Sequence, residues 1–283
     1  MIHIPVLLKE VTAFLNVLPG KLYIDATVGA GGHSQQIIRL GGVVLGLDCD
    51  AQILQGTRKL LPKAEIEKAN FTEIDQVAKA GGFQRVDGIL YDLGVSSFQF
   101  DTVARGFSFR KDAPLDMRMD EELAVSAADL VNALNSGELT ELFTKLGEEK
   151  EARQIARAIV NRRAIKKIET TTELADLVRS IKRKSGKKIH PATQVFQALR
   201  IAVNDELNNL RDSLPKAADL LNPGGRLVVI SFHSLEEKIV KDFINSRRDL
   251  LSLTEKPIVP TENEVALNPR SRSAKLRAVE KVG

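Results

Sequence analysis

The sequence has few of the residues on which disulfide frameworks, zinc sites and membrane spans depend. Among its 283 residues Cys49 is the only cysteine, so no intramolecular disulfide can form. The four histidines show no zinc-ligand spacing, so we expect no metal site. We find neither an apolar run of about 18 residues nor a signal-like N-terminus. These absences predict a protein of the reducing cytoplasm with no membrane partner.

Positive charge is concentrated in one segment, although the net charge is only +4. Between Lys150 and Arg200 the sequence has 14 Lys or Arg against 4 Asp or Glu, with dense clusters at 182–184 and 187–188. A segregated basic block is typical of a surface that contacts nucleic acid, whereas most charge runs are simply solvated helical faces. We therefore predict a polyanionic partner.

A short apolar strand that ends in a glycine-rich turn lies near the start of the chain. Residues 23–33 are YIDATVGAGGH, and the next apolar run ends at Asp48. Glycine lets the backbone approach a ligand closely, and an acid at the end of the second strand can accept hydrogen bonds from ribose hydroxyls. These features predict a pocket for an adenosine-containing cofactor. The alternative is that the glycines only permit a tight turn.

The glycine pattern by itself leaves the identity of the cofactor open. The dinucleotide fingerprint requires glycine or alanine where this chain has Ser34. His33 and the glutamines that follow do not indicate a phosphate at the helix start, but they do not exclude one. S-adenosylmethionine has no phosphate and tolerates such a turn.

Apolar runs alternate with helical stretches over the first hundred residues, which predicts βαβ units and a parallel sheet. About 130 residues then separate the fourth strand from the fifth, too many for one crossover. We expect this gap to hold an inserted helical domain. It includes a capping box at Thr170–Glu173 and a long helix that begins at Pro191 and buries a stripe extending to Leu207. The predicted strands are 22–26, 43–48, 65–70, 86–92 and 226–231, with a last strand at 274–279.

Polar side chains follow two of these strands at the sheet edge where open α/β sheets bind ligands. Asp92 ends the fourth strand and is followed by the small residues Ser96 and Ser97. His233 follows the fifth strand. An acid followed by small polar residues is typical of the position at which a methyltransferase holds the acceptor atom.

Distinctive motifs follow one another in order over almost the whole chain. The clearest are DLGVSS at 92–97, RGFSF at 105–109, PLDMRM at 114–119, HPAT at 190–193, FQALRI at 196–201, ISFHSLE at 230–236 and NPRSRS at 268–273. Together they resemble the motifs of one family, the bacterial 16S ribosomal RNA (cytosine-N4)-methyltransferases of MraW type. The chain departs from that family at Phe98, where a proline usually stiffens the loop before Gln99.

The resemblance implies an α/β fold with a Rossmann-like S-adenosylmethionine-dependent methyltransferase core and an inserted α-helical domain. The core would comprise residues 1–105 and 208–283, and the insert, 106–207, would recognise the RNA substrate. The implied acceptor is N4 of a cytosine in the decoding region of 16S rRNA, in the small ribosomal subunit. Carried over by position, the cofactor-binding residues are Gly31, Gly32, His33, Asp48, Phe71, Asp92 and Gln99. Without the resemblance, Phe71 would be interpreted as a packing residue.

Catalytic and substrate-binding residues are predicted on the same basis. Asp92, Ser96 and Ser97 are candidates to hydrogen-bond the cytosine amine, but Asp92 could instead only bind the cofactor and the serines could be loop-capping hydroxyls. An exposed face of the insert could pair two chains as a homodimer. Two alternatives stay open: a non-catalytic ribosome-assembly factor with a cofactor pocket, and an amino-methyltransferase acting on another nucleic acid. The candidates for substrate binding, each of which has a structural alternative, are His190, Arg200, Asn204 and His233.

Overall fold

The computed structural model describes residues 4–182 and 190–283, apart from the side chain of Ser97. Most of the predicted basic clusters, residues 183–184 and 187–188, therefore lies outside the described part of the chain. The Ser97 hydroxyl, which is predicted to be catalytic, lies outside it as well. The chain divides into two compact units. The first runs to Gly94 and resumes at Leu207, and the second is Val95–Glu206.

Seven strands form one sheet in the first unit, in the order β3-β2-β1-β4-β5-β7-β6. The strands β1 to β5 pair in parallel, whereas β7 runs antiparallel to both β5 and β6. The bounds are β1 Leu22–Asp25, β2 Val43–Asp48, β3 Glu65–Lys68, β4 Val86–Asp92, β5 Leu221–Ser231, β6 Leu250–Ser252 and β7 Lys275–Lys281. The parallel part confirms the predicted α/β class and the five predicted strands.

The central strands are apolar because both faces of the sheet are covered. Ile24, Leu45 and Ile89 pair across β2, β1 and β4, and none of them is exposed to solvent. The helices of the chain are α1 Leu8–Leu15, α2 Gly32–Arg39, α3 Ala51–Leu60, α4 Ile74–Ala80, α5 Ser97–Asp101, α6 Ala127–Ala133, α7 Ser136–Gly147, α8 Ala152–Arg163, α9 Thr171–Ile181, α10 Thr193–Asn204, α11 Glu206–Leu220, α12 Ser234–Ser246 and α13 Glu262–Leu267. None of these described helices is long and apolar enough to cross a membrane.

The second unit has a helical core of its own. Its centre includes Phe143 from α7, Ile155 from α8 and Leu199 from α10, all fully buried. The helices α5, α6, α7 and α9 begin with capping boxes, such as the one in which the Thr170 hydroxyl accepts from the Glu173 amide. That box agrees with the sequence-based prediction. The helix α8 buries one face, which carries Ala152, Ile155, Ala156 and Ile159.

Two details of the helical segment differ from the prediction. The long helix expected to begin at Pro191 begins instead at Thr193 and is interrupted at Asp205, whose φ of 48° is left-handed. Leu207 therefore belongs to a separate helix, because a left-handed residue ends the ladder of helical hydrogen bonds. The compact unit also begins at Val95 rather than at 106, since the buried Arg105 donates to the carbonyl oxygens of Arg118 and Met119 in that unit.

Candidate active site

The direction of winding in the sheet reverses between β1 and β4, which are neighbours although two strands separate them in the chain. In such sheets ligands bind beyond the carboxyl ends of the strands at this switch point. Hydrogen bonds between backbone amides and side chains connect three segments of the chain there. The Asp92 amide donates to Thr27 Oγ1 at 2.7 Å, and the Gly29 amide donates to Asp48 Oδ2 at 3.0 Å.

Asp48 lies at the end of β2, as the sequence predicts for a ribose-binding acid. Its second carboxylate oxygen accepts from the Asp50 amide at 2.9 Å. Burial raises the pKa of Asp48 to about 6, although the bonds from the Asp50 and Gly29 amides oppose that rise. Gly29 has a left-handed φ of 48°, and a Cβ there would meet no atom closer than 3.8 Å. A Cβ at Gly29 would thus fit in van der Waals contact with this carboxylate. Gly29 was not among the predicted cofactor residues.

Gly31 and Gly32 have a different reason to be glycine. A Cβ on Gly31 would lie 2.8 Å from Leu61 Cδ1, and its φ of 82° is left-handed. A Cβ on Gly32 would lie 2.4 Å from Pro5 Cγ. Protein neighbours therefore occupy the space beside both glycines, and a direct role in cofactor binding stays a prediction.

His33 is buried, and both nitrogens of its ring face polar atoms. Its Nε2 lies 2.9 Å from the Val6 carbonyl oxygen, so Nε2 carries a proton and donates it. Nδ1 lies 3.6 Å from Asp92 Oδ2. Burial lowers the pKa of His33, so the neutral ring presents a lone pair at Nδ1 toward Asp92.

Asp25 and Ser34 form a buried pair that the sequence analysis did not include among the site residues. The Ser34 hydroxyl donates to Asp25 Oδ2 at 2.7 Å, and the Thr27 amide lies 3.3 Å from Oδ1. Burial raises the pKa of Asp25. Ser34, which breaks the dinucleotide fingerprint, thus anchors the start of α2 to the end of β1. The sequence signal for this pair was an acid at the end of β1 that is followed nine residues later by a serine.

Asp92 is the only described carboxylate at the switch point with a buried oxygen that lacks a hydrogen-bond partner, namely Oδ1. Burial, assisted by the negative charge of Glu236, raises the pKa of Asp92 to about 7. A buried acceptor without a partner is costly unless a ligand satisfies it. Oδ1 of Asp92 is therefore the atom that most directly indicates a bound polar group.

The charges around the switch point distinguish between the two cofactor classes that the sequence left open. Asp25, Asp48 and Asp92 are all carboxylates, and within the described ranges none of them has an ion pair with Lys or Arg. A pyrophosphate would be repelled by such a set. Carboxylates instead suit ribose hydroxyls and a positively charged amine or sulfonium. The residues present thus fit S-adenosylmethionine better than a dinucleotide.

Phe71 follows β3 and is half-buried. Its ring makes an edge-to-face contact with Tyr91, with centroids 5.6 Å apart. This contact is the packing role that the sequence also allowed, and contact with an adenine ring stays a prediction.

Ser96 and Gln99 form a capping box at the start of α5 in the second unit. The Ser96 hydroxyl accepts from the Gln99 amide at 3.2 Å, and Gln99 Oε1 accepts from the Ser96 amide at 3.0 Å. Gln99 is buried and Phe98 is exposed. Helix capping is thus the observed role of Ser96, while its catalytic role and the cofactor contact of Gln99 stay predictions.

Arg200 and Asn204 are engaged within the second unit. Arg200 makes a two-point ion pair with Glu206, at 2.8 and 2.9 Å. The Asn204 amide donates to the Met117 carbonyl oxygen and accepts from the Met119 amide. Met117 has a left-handed φ of 66°, so Asn204 stabilises a strained backbone. Their predicted contacts with RNA stay predictions.

The two candidate histidines also have structural contacts. The His190 ring stacks on Phe109 with centroids 4.5 Å apart, and its Nδ1 accepts from the Ala192 amide. His233 is the N-cap of α12, where its Nδ1 accepts from the Glu236 amide and its Nε2 lies 3.0 Å from Glu236 Oε1. Substrate binding by either histidine stays a prediction.

Comparison with known proteins agrees with this geometry. The family model described as the MraW methylase family matches residues 1–282. Three similar proteins are each named ribosomal RNA small subunit methyltransferase H. That of Deinococcus radiodurans is 48% identical over 99% of this chain and 89% of its own length. Those of Carboxydothermus hydrogenoformans and Deinococcus deserti are 45% and 47% identical, over 99% and 100% of this chain and 98% and 94% of theirs.

The family match spans both compact units, and the similar proteins are covered over most of their own length. This confirms the resemblance that the sequence motifs indicated and, with it, S-adenosylmethionine as the methyl donor. The chain therefore belongs to the MraW methylase family.

Proposed function

We propose that this protein transfers a methyl group from S-adenosylmethionine to N4 of a cytosine in the decoding region of 16S rRNA in the small ribosomal subunit. The unpartnered Oδ1 of Asp92 at the switch point carries this proposal, because a buried acceptor matches a hydrogen of an exocyclic amine. The name of the similar proteins supports an rRNA of the small subunit as the substrate class. The sequence motifs that resemble the cytosine-N4 family support the acceptor atom.

The first unit supplies groups suited to the methyl donor. Asp48, held by the Gly29 amide, would accept hydrogen bonds from the ribose hydroxyls, and Gly29 leaves room beside it. Asp92 and Asp25 add negative charge that favours a cationic ligand. S-adenosylmethionine supplies a methyl group bound to a positively charged sulfur, which is a good leaving group.

The protein must also activate the cytosine amine that accepts the methyl group. The lone pair of the cytosine amine is delocalised into the ring, so the amine is a poor nucleophile. Asp92 Oδ1 would accept a hydrogen bond from this amine, favour a more tetrahedral nitrogen and take up the proton released when the new N–C bond forms. The neutral His33 ring lies beside this carboxyl group, with Nδ1 3.6 Å from Asp92 Oδ2. No metal is required for this reaction.

Nucleoside mass spectrometry of small ribosomal subunits tests the proposal. Subunits from a strain that lacks the protein are incubated with purified protein and S-adenosylmethionine, and N4-methylated cytidine is expected to appear. Free 16S rRNA is treated in parallel, which distinguishes the assembled particle from naked RNA as the substrate. Cofactor binding without methylation of either substrate would contradict the proposal and favour a non-catalytic assembly factor. A methylated base other than cytosine would contradict the acceptor.

Replacing Asp48 with asparagine is expected to weaken S-adenosylmethionine binding about 10- to 100-fold. The change removes a charge-assisted acceptor for ribose while preserving the shape of the side chain. Isothermal titration calorimetry with the cofactor measures the effect. Glu67→Gln, an exposed carboxylate on the neighbouring strand β3, is the control and should bind normally. Equal affinity for Asp48→Asn and the wild type would remove Asp48 from the cofactor site.

A further inference from the structure

A groove of about 490 Å³ lies on the outside of the second unit, between α7 and α8. None of its lining residues is among those described above at the switch point. Three of its side chains are basic, one is acidic and three carry hydroxyls. The lining residues are Ser136, Gly137, Thr140, Glu141, Thr144, Lys145, Arg153 and Arg157.

Arg153 and Arg157 are the unusual members of this groove. Both are exposed on α8, whose opposite face is buried in the helical core. Within residues 4–182 and 190–283, neither guanidinium has a hydrogen bond or an ion pair. Arg179, which is exposed on α9, differs because it pairs with Asp176 at 2.8 Å.

The other groups of the groove cannot neutralise these two cations. Glu141 already pairs with Lys145, one helical turn further along α7. The Thr140 and Thr144 hydroxyls donate to the carbonyl oxygens of Ser136 and Thr140. Counting Lys145, Arg153 and Arg157 against Glu141, the lining has a formal charge of +2. The groove therefore presents ten unused guanidinium N–H donors, about five on each arginine.

We propose that the groove between α7 and α8 binds consecutive phosphates of an RNA strand through Arg153 and Arg157. The proposal rests on the proposed function for the identity of the polyanion. Residues four apart on a helix lie on the same face, about 6 Å apart along its axis, which is close to the spacing of neighbouring phosphates along a strand. Guanidinium groups match phosphate oxygens two at a time, so each arginine suits one phosphate. Such contacts position a strand but do not select its sequence.

The test is RNA binding by the full chain without methyl donor, which separates it from any test of methyl transfer. Fluorescence anisotropy of a labelled single-stranded RNA oligonucleotide, and of a second one of scrambled sequence, is measured over a series of salt concentrations. The variants are Arg153→Gln with Arg157→Gln, Arg153→Lys with Arg157→Lys, and the control Arg179→Gln, an exposed arginine on the adjacent helix α9. Thermal unfolding verifies that each variant is folded.

For the double glutamine variant we expect affinity to fall roughly tenfold for both oligonucleotides. The slope of log K against log salt should become less negative by about 1.4, since each phosphate contact to a single strand contributes about −0.7. The double lysine variant should keep most of the slope because it keeps the charge, and the Arg179 variant should match the wild type. Unchanged affinity and slope in the folded glutamine variant would overturn the proposal. An equal loss in the Arg179 control would do so as well, because it would show a diffuse charge effect.

Discussion

Methyl transfer by the Asp92→Asn variant is expected to fall about 10²- to 10⁴-fold in kcat, the range that a positioned general base contributes. Asparagine retains an oxygen at the position of Oδ1 and can still accept a hydrogen bond from the cytosine amine. It cannot take up the proton that must leave the nitrogen, so the chemical step should slow while RNA binding changes little. The buried, unpartnered Oδ1 is the structural reason for this expectation.

Single-turnover methylation with labelled S-adenosylmethionine measures the chemical step directly. Asp242→Asn, which removes an exposed carboxylate on α12, is the matched control and should retain the wild-type rate. Cofactor affinity is determined for both variants, because Asp92 could instead act only on the methyl donor. A normal single-turnover rate for Asp92→Asn at saturating cofactor would exclude its role as proton acceptor.

The pH dependence of the same rate provides an independent measure of Asp92. Burial and the nearby Glu236 carboxylate raise the pKa of Asp92 to about 7. The ionised carboxylate is the form that accepts the proton, so the wild-type rate should rise with pH through about 7 and level off above it. Below that value the carboxyl is protonated and the rate falls. The residual activity of Asp92→Asn should lose this step in the profile, and a profile identical to wild type would assign the titration to another group.

Gly106→Ala is expected to lower the free energy of unfolding of the helical unit by about 2–5 kcal/mol, from a left-handed backbone and an overpacked site together. Gly106 has a φ of 71°. A Cβ there would lie 2.3 Å from the Pro114 carbonyl oxygen and 2.7 Å from the Asp116 amide nitrogen. Both are backbone atoms, which cannot move aside as a flexible side chain can.

Urea denaturation followed by far-ultraviolet circular dichroism measures this loss, with the helical unit contributing much of the signal. Gly56→Ala is the matched control, because Gly56 lies inside α3 and a Cβ there meets nothing within 4 Å. That substitution should stabilise the protein by up to about 1 kcal/mol, since alanine is the better helix former. Equal free energies of unfolding for the two alanine variants would show that the close approach of backbone atoms at Gly106 does not limit stability.

Local patterns predicted much of the fold because their causes are local. The apolar runs at 43–48 and 86–92 are the strands β2 and β4 with the same bounds, and the box at Thr170 begins α9. The break at Asp205 was missed, since a left-handed residue inside an apolar helical pattern leaves no mark in periodicity. The strand β6 has three residues and two of them are exposed, so it carries too little pattern to detect.

Some features of the candidate site follow from the local sequence pattern, whereas others follow from contacts between residues far apart in the chain. The polar residues at the strand ends could be predicted from the sequence, because acids and glycines that directly follow apolar runs lie at the ligand-binding edge of a parallel α/β sheet. Which of these residues contact one another depends on the folded chain. Gly31 and Gly32 pack tightly against Leu61 and Pro5, whereas a Cβ at Gly29 would come no closer than 3.9 Å to Asp48. Asp92 has one oxygen without a partner. Those differences depend on contacts between residues far apart in the chain, and neither composition nor spacing records such contacts.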